Sequence, residues 1–492
     1  MHRVPAAKSD ERLGARATRG VLWSAYSMLA TQGLQTLSKV LLARMLSPDA
    51  FGLVGMALVF TALVQVINDL GLGAAIVQRK DLSSYHMDAA FWICLAGGVT
   101  LCGIGMLVAP LLAAFYREPA LTRVVRVLSI GLAIGGVGVI PRALLIRQLD
   151  FRRLAILEIV AAFGYVLAAV PLAVLGFGAW SLVAGLLAST FLLSTTVWLA
   201  TGWRPRFTFV GRAAVDLVRF GSNVMGATVL NYVYSNIDYL LIGYFLTTSA
   251  LGLYTLAYQL SVVSLKKMSG LISVVAFPVF SRLQDNPDKV REWYLKAIRV
   301  TASIAFPISV GIALIAPQAV PLFLGQEWKP MIAPLQILCL TGAIKALGSH
   351  VGAVFLSRGR PDIELWWNAL ASIVLSSCVL VAVRFGISAV ALASAATALC
   401  LFPMIQHVAN RHIQLRPRSF FQALYPSTMA LAALLASYVL ARAVAVWLKL
   451  PEVASVALEV LASGVGYALA LLCVDSRSVH DVYRIILGKD VQ

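Results

Sequence analysis

Apolar residues run along this chain in long blocks, separated by short polar or glycine-bearing stretches. A helix needs about 20 predominantly apolar residues to cross a bilayer. Fourteen blocks reach that length, at approximately 21–45, 51–76, 88–114, 121–145, 154–175, 178–201, 222–246, 251–280, 293–317, 331–356, 363–383, 387–409, 421–446 and 453–474. Turns such as SPDA at 47–50 and GFGA at 176–179 separate paired helices. The pattern predicts an all-α polytopic membrane protein with about 14 transmembrane helices. Residues 1–20 are polar and basic, and the apolar block after them has no small-residue cleavage site. It reads as a retained first span and not as a signal peptide.

Two polar stretches carry a pattern of their own. Within 207–221, Val210, Ala214, Leu217 and Phe220 fall near one helical face and Arg212, Asp216 and Arg219 near the other. That spacing predicts an amphipathic helix lying in the membrane interface. Asn286 and Pro287 form an N-cap and first-turn pair for a segment that runs amphipathically into span 9.

The chain also repeats itself at an offset of 200 residues. LLARMLSPDAFGL at 41–53 matches LIGYFLTTSALGL at 241–253 in Leu41, Leu46, Ala50, Gly52 and Leu53 against Leu241, Leu246, Ala250, Gly252 and Leu253. Each copy joins an odd span to an even one. Six spans per copy give both halves the same orientation, so the expected axis runs along the membrane normal with a central cavity between two six-helix lobes. The expected organisation is a cytoplasmic N-terminus (1–20), an N-lobe (21–203), an amphipathic linker (204–221), a C-lobe (222–412), two extra helices (413–475) and a cytoplasmic C-terminus (476–492).

Composition narrows the class. Sixty percent of the 492 residues are apolar and 13% are charged, which excludes disorder and leaves too much greasy surface for a soluble enzyme. Forty Lys and Arg against 22 Asp and Glu give a formal charge of +18. On a membrane protein this reads as basic cytoplasmic loops beside anionic headgroups, with no nucleic-acid partner. With the N-terminus inside, the inner loops hold 28 of the basic residues and the outer set 8. That asymmetry supports an even number of spans and both termini inside. Cys94, Cys102, Cys339, Cys378, Cys400 and Cys473 all lie in apolar spans without metal or disulfide spacing.

No catalytic motif, metal set or cofactor fingerprint is present, and the six histidines are scattered. The useful signal is charge inside the spans, where each ion costs roughly 2.5–3.5 kcal/mol at a helix centre and so faces protein or water. Gln32, Gln35 and Lys39 share a face of span 1; Asn231, Tyr234 and Asp238 repeat that spacing in span 7. Span 2 adds Gln65, Asn68 and Asp69, span 8 adds Gln259, Lys266 and Lys267, and span 10 adds Lys345 and His350. Two readings stand for Lys39 and Asp238: facing walls of a central cleft, or a buried pair that fixes the halves together. Lys266 and Lys267 point about 100° apart, so one lines the cavity and the other snorkels, or both snorkel. Asp69 and Asp238 are candidates for ion coupling, with capping or bonding inside the bundle as the alternative for Asp69. Lysines attract phosphate as point charges and amides bond sugar hydroxyls, so the set suits an anionic, hydroxyl-rich substrate.

The stretches SPDAFGLVGMALVFTALVQVINDLGLGAAIVQRKDLS (47–84), NIDYLLIGYFLTTSALGLYTLAYQL (236–260), FPVFSRLQDN (277–286) and SRGRPD (357–362) resemble polysaccharide exporters of the Wzx/WzxC type, in the multidrug/oligosaccharidyl-lipid/polysaccharide superfamily. The resemblance implies a flippase, not an enzyme, in the cell inner membrane. It implies an undecaprenyl-pyrophosphate-linked oligosaccharide as substrate, exopolysaccharide or O-antigen as product, a monomer, and a glycan polymerase and chain-length regulator as partners. It also implies a cationic cavity, carried here onto Lys39, Lys266, Lys267 and Lys345. A cation-coupled drug exporter of the same superfamily is the alternative. An integral-membrane glycan polymerase is a further one, opposed by the short outer loops.

Overall fold

The computed structural model describes residues 28, 30–69, 72–78, 83–207, 229–267, 269–270, 287–357 and 360–475. Of the described residues 91% are helical and none forms a strand. That is the outcome for a chain in lipid, where a helix satisfies its backbone N–H and C=O groups within itself. Among them, eleven helices are long and apolar enough to cross a membrane. They coincide with expected spans 2–6 and 9–14. The other three spans extend past the described residues, and their described parts are helical. The expected amphipathic stretch from 208 to 221, the 277–286 segment, Arg358, Gly359, and the segments 1–20 and 476–492 lie outside the described residues.

The chain divides into two compact units, one ending at Gly252 and the other beginning at Leu253. The first contains α1 (30–45), α2 (Pro48–Asp69), α3 (Leu72–Gln78), α4 (Ser84–Tyr116), α5 (Leu121–Arg147), α6 (Phe151–Val174), α7 (Ala179–Thr201), α8 (229–245) and the first turn of α9 (Thr248–Tyr258). Helix starts follow local chemistry: Asp150 accepts the Arg153 N–H at 3.2 Å to cap α6. Glycines set the closest packing, as expected where bilayer helices approach through small residues. A Cβ on Gly98 would lie 2.7 Å from the Leu132 carbonyl oxygen, and one on Gly136 would lie 2.7 Å from that of Cys94, so α4 and α5 meet backbone to backbone. The helix faces turned outward are apolar, with Leu107 79% and Leu167 73% exposed, a surface fit for hydrocarbon and unfit for water.

The sequence repeat has a structural counterpart. Residues 41–53 and 241–253 share one pattern: helix to the fifth residue, a two-residue break, then helix again. Gly52 and Gly252 then face each other. A Cβ on Gly52 would fall 1.8 Å from the Thr248 carbonyl oxygen, and one on Gly252 would fall 1.9 Å from that of Pro48. The two copies cross reciprocally at the same position of each. Around the crossing, Thr248 Oγ1 donates to Glu118 at 3.1 Å, and Tyr232 of α8 donates its hydroxyl to the Val59 carbonyl at 2.9 Å.

The second unit holds the rest of α9 with a π-helical turn at Gln259–Val263, then α10 (Pro287–Ala319), α11 (Ile332–Ser357), α12 (Pro361–Ala382), α13 (Ile387–His412), α14 (Pro417–Trp447) and α15 (Glu452–Val474). Its core runs through Val290, Tyr294, Ile298 and Val354. Polar ties cross it: Tyr294 donates to Gln406 at 2.8 Å, and His350 bonds Thr301 at 2.6 Å. Between α10 and α11, Gly325 at φ 113° turns the chain into a 3-10 turn that buries Trp328 to 1% exposure. Truncating such a side chain costs about 3–5 kcal/mol. Trp328→Ala is therefore expected to lower the melting temperature of the purified protein clearly; an unchanged melting curve would show that the turn is not integral to the unit.

Candidate functional site

Of the four lysines inside expected spans, Lys266, Lys267 and Lys345 fall in the second unit. Lys345 sits mid-way along α11, half-buried. Its ammonium donates to the Tyr258 hydroxyl at 3.4 Å and lies 5.5 Å from the centre of that ring. Tyr258 is stacked on Tyr254 with ring centres 6.0 Å apart, which holds the phenol in place. Immediately after Tyr258 the α-helix loosens into the π-helical turn, a deviation frequent at functional sites. A Cβ on Gly342 would touch Leu265 Cδ1 at 2.8 Å and Val262 Cα at 3.2 Å. The absence of a side chain there lets α11 lie directly on this turn. The same close approach brings Lys266 within electrostatic range of Lys345.

The pair is unusual because both members carry the same charge. At an effective dielectric of 20, like charges a few ångströms apart repel by a few kcal/mol. Two ammoniums on neighbouring segments of one unit offer paired positive charge to a multiply charged anion. Lys266 is exposed and Lys267 half-buried, so the two neighbours diverge as helical geometry requires.

The other sequence candidates fall into the first unit. On α1, Gln32, Gln35 and Lys39 are half-buried, and Gln32 donates to Thr36 at 3.3 Å. On α8, Asn231 is exposed and accepts from Ser235 at 3.3 Å, Tyr234 is half-buried, and Asp238 is 3% exposed with Oδ1 accepting the Tyr239 N–H at 3.0 Å. Asp69 ends α2, and its side chain lies outside the described residues. His350 belongs to the core bond with Thr301 and not to the lysine cluster.

Sequence reasoning missed two groups. Tyr258 is 87 positions from Lys345, and nothing local marks it. Glu459, wholly buried in α15, accepts from Ser455 at 3.2 Å and lies 3.9 Å from Arg442 of α14. Gln318 of α10 also donates to it at 3.4 Å. A single acid inside an apolar span was the available signal. The network ties the last two helices to α10.

Comparison with known proteins gives the family and the fold. Residues 41–333 match the family described as polysaccharide biosynthesis protein. The chain is 27% identical over 375 residues to the lipopolysaccharide biosynthesis protein WzxC of Escherichia coli (strain K12), covering 75% of each. It is 26% identical over 423 residues to the succinoglycan biosynthesis transport protein ExoT of Rhizobium meliloti (strain 1021), covering 85% of this chain and 84% of that one. In fold it is similar to the lipid II flippase MurJ in an inward closed conformation, with a TM-score of 0.75 at 11% identity over 93% of this chain and 99% of the other. A multidrug resistance transporter of the MATE family matches at a TM-score of 0.63 and 18% identity, over 79% of this chain and 99% of that one. Matched over more than half its length by this family's model, the helical membrane chain belongs to the polysaccharide biosynthesis protein family.

Proposed function

We propose that this protein is a flippase. It moves undecaprenyl-pyrophosphate-linked oligosaccharide repeat units from the inner to the outer leaflet of the cell inner membrane, for exopolysaccharide or O-antigen synthesis. The observation that carries the reading is the Lys266–Lys345–Tyr258 cluster. Lysine binds phosphate as a point charge, and a pyrophosphate relieves the repulsion between two ammoniums. The phenol offers a donor and a ring face to the first sugar.

In this reading the protein catalyses no covalent step. The two repeat copies rock in alternating access, with both termini in the cytoplasm and the 46–47 and 246–247 breaks at the outer surface. An inside-negative potential favours outward movement of the anion by about 2.3 kcal/mol per charge per 100 mV. Lys39, Gln32, Gln35, Asn231 and Tyr234 of the first unit, and Lys267 of the second, provide further polar contacts for the substrate. Asp69 and Asp238 serve ion coupling. The protein works as a monomer beside a glycan polymerase and a chain-length regulator.

The test is a deletion strain. Lipid-linked repeat units are expected to accumulate on the inner leaflet and to clear when the gene is restored. Normal levels after deletion would refute the reading. The rival, a cation-coupled drug exporter, shares only the fold. Dye efflux from cells lacking other pumps, without such accumulation, would establish it instead.

A further inference from the structure

In the first unit, α2, α5 and α7, with part of α3, enclose a groove of about 730 Å³. Its lining on α5 runs from Leu128 to Ile146, a length of about 27 Å at 1.5 Å per residue. The space is therefore long and narrow, and suits an extended chain better than a compact ligand. Gly131, Gly135 and Gly138 line it along α5, and the missing side chains keep it open.

The walls decide what kind of chain fits. The Gln65 amide stands over Gly135, 3.3 Å from where a Cβ would be, and Ser194 faces Gly138 in the same way. Gln65, Ser189 and Ser194 line the groove, and none has a hydrogen-bond partner among the described residues. Thr61 and Thr190 donate to their own helix carbonyls at 3.0 and 2.9 Å, which leaves their lone pairs able to accept. The charged lining residue, Arg142, is paired with Glu158 of α6 at 2.7 Å, which offsets its charge. An acyl or prenyl chain would leave the amide and both serine hydroxyls unsatisfied. A pyranose chain meets the apolar wall with its C–H faces and the amide and hydroxyls with its edges.

We infer that this groove seats a neutral stretch of the transported oligosaccharide, bonded by Gln65, Ser189 and Ser194. The assignment rests on the flippase reading above and adds a sugar subsite to it.

The experiment uses full-length protein in native membrane vesicles. Ser189→Cys is made after the four cysteines that are not buried, Cys102, Cys378, Cys400 and Cys473, are replaced by alanine. Its reaction with a charged thiol reagent is followed in vesicles from three strains: one making the complete lipid-linked unit, one arrested after the first sugar, and one lacking the priming sugar transferase. Labelling is expected to be at least fivefold slower in the first than in the last, with Arg152→Cys labelling equally in all three. Equal rates at position 189 overturn the inference. Protection that persists without any lipid-linked sugar also overturns it and identifies a lipid as the occupant.

A second variant guards against a poorly folded cysteine mutant. Gln65→Leu keeps the side chain's size and removes its amide; it is expected to lower export about tenfold at normal protein level. Wild-type export would remove the groove as a subsite. The flippase reading would still stand if deletion of the gene causes lipid-linked units to accumulate, and would fall if it does not. Sugar analysis of the accumulated unit must find at least one uncharged run; acidic groups on every sugar would contradict the neutral assignment.

Discussion

Replacing Lys345 by alanine is expected to lower export by about 10- to 100-fold, since a charge-assisted contact contributes about 1.5–3 kcal/mol, while the protein becomes no less heat-stable. The two halves of that result have one cause. Lys345 and Lys266 carry like charge within electrostatic range, so in the proposed reading deleting either relieves a repulsion in the fold and removes a contact from the bound state. Groups that serve binding at a cost to stability show this opposition. Lys266→Ala should behave alike, and Lys345→Arg should recover much of the loss by restoring charge. Tyr258→Phe keeps the ring face under the ammonium and removes only the hydroxyl contact, so its effect should be several-fold smaller. The measurements are initial rates of lipid-linked glycan translocation in proteoliposomes beside thermal melts of the same preparations. A Lys345→Ala protein that loses stability and transport together would show a structural lysine and end the anion-receptor argument.

Alanine at Gly52 or Gly252 is expected to reduce transport at least tenfold, although alanine is ordinarily the better helix residue by about 1 kcal/mol. The added methyl would lie 1.8 or 1.9 Å from a carbonyl oxygen of the opposing copy, a separation no packing adjustment of a side chain relieves. The backbones must part. Parting them disturbs the close approach of the two repeat copies on which the proposed transport relies. Because each glycine faces the same crossing, the two changes should not add: once one methyl has opened it, the second has little left to disrupt. Gly103 and Gly464, which have open space where a Cβ would be, are the controls, and alanine there should be neutral or stabilising. Wild-type transport by Gly252→Ala, or strict additivity of the pair, would mean the crossing is not a working closure.

The individual helices were legible along the chain because bilayer thickness imposes one length on every span. The expected spans at 88–114 and 387–409 correspond to helices Ser84–Tyr116 and Ile387–His412, with ends displaced where capping, not hydrophobicity, sets the boundary. The stretch expected as a span at 51–76 is helical at Pro48–Asp69 and at Leu72–Gln78, with residues 70 and 71 outside the described set. Hydrophobicity alone does not distinguish an α-helical turn from a looser one, since both are equally apolar. The same blindness hid the π-helical turn at Gln259–Val263. Glu364, at the start of the expected span 363–383, stands in the first turn of α12 with its carboxylate beside Gly352.

By itself the sequence determined the membrane class, most of the helical spans and the internal repeat. All of these follow from solvent preference and spacing, which are written residue by residue. Only the tertiary structure decided that the repeated glycines meet, that Tyr258 sits against Lys345 and that a polar-walled groove lies along α5. Those depend on which face of each helix turns toward which neighbour. In a chain whose helices are apolar nearly all round, the pattern that would announce a buried face is missing, and close packing of small residues makes the choice instead.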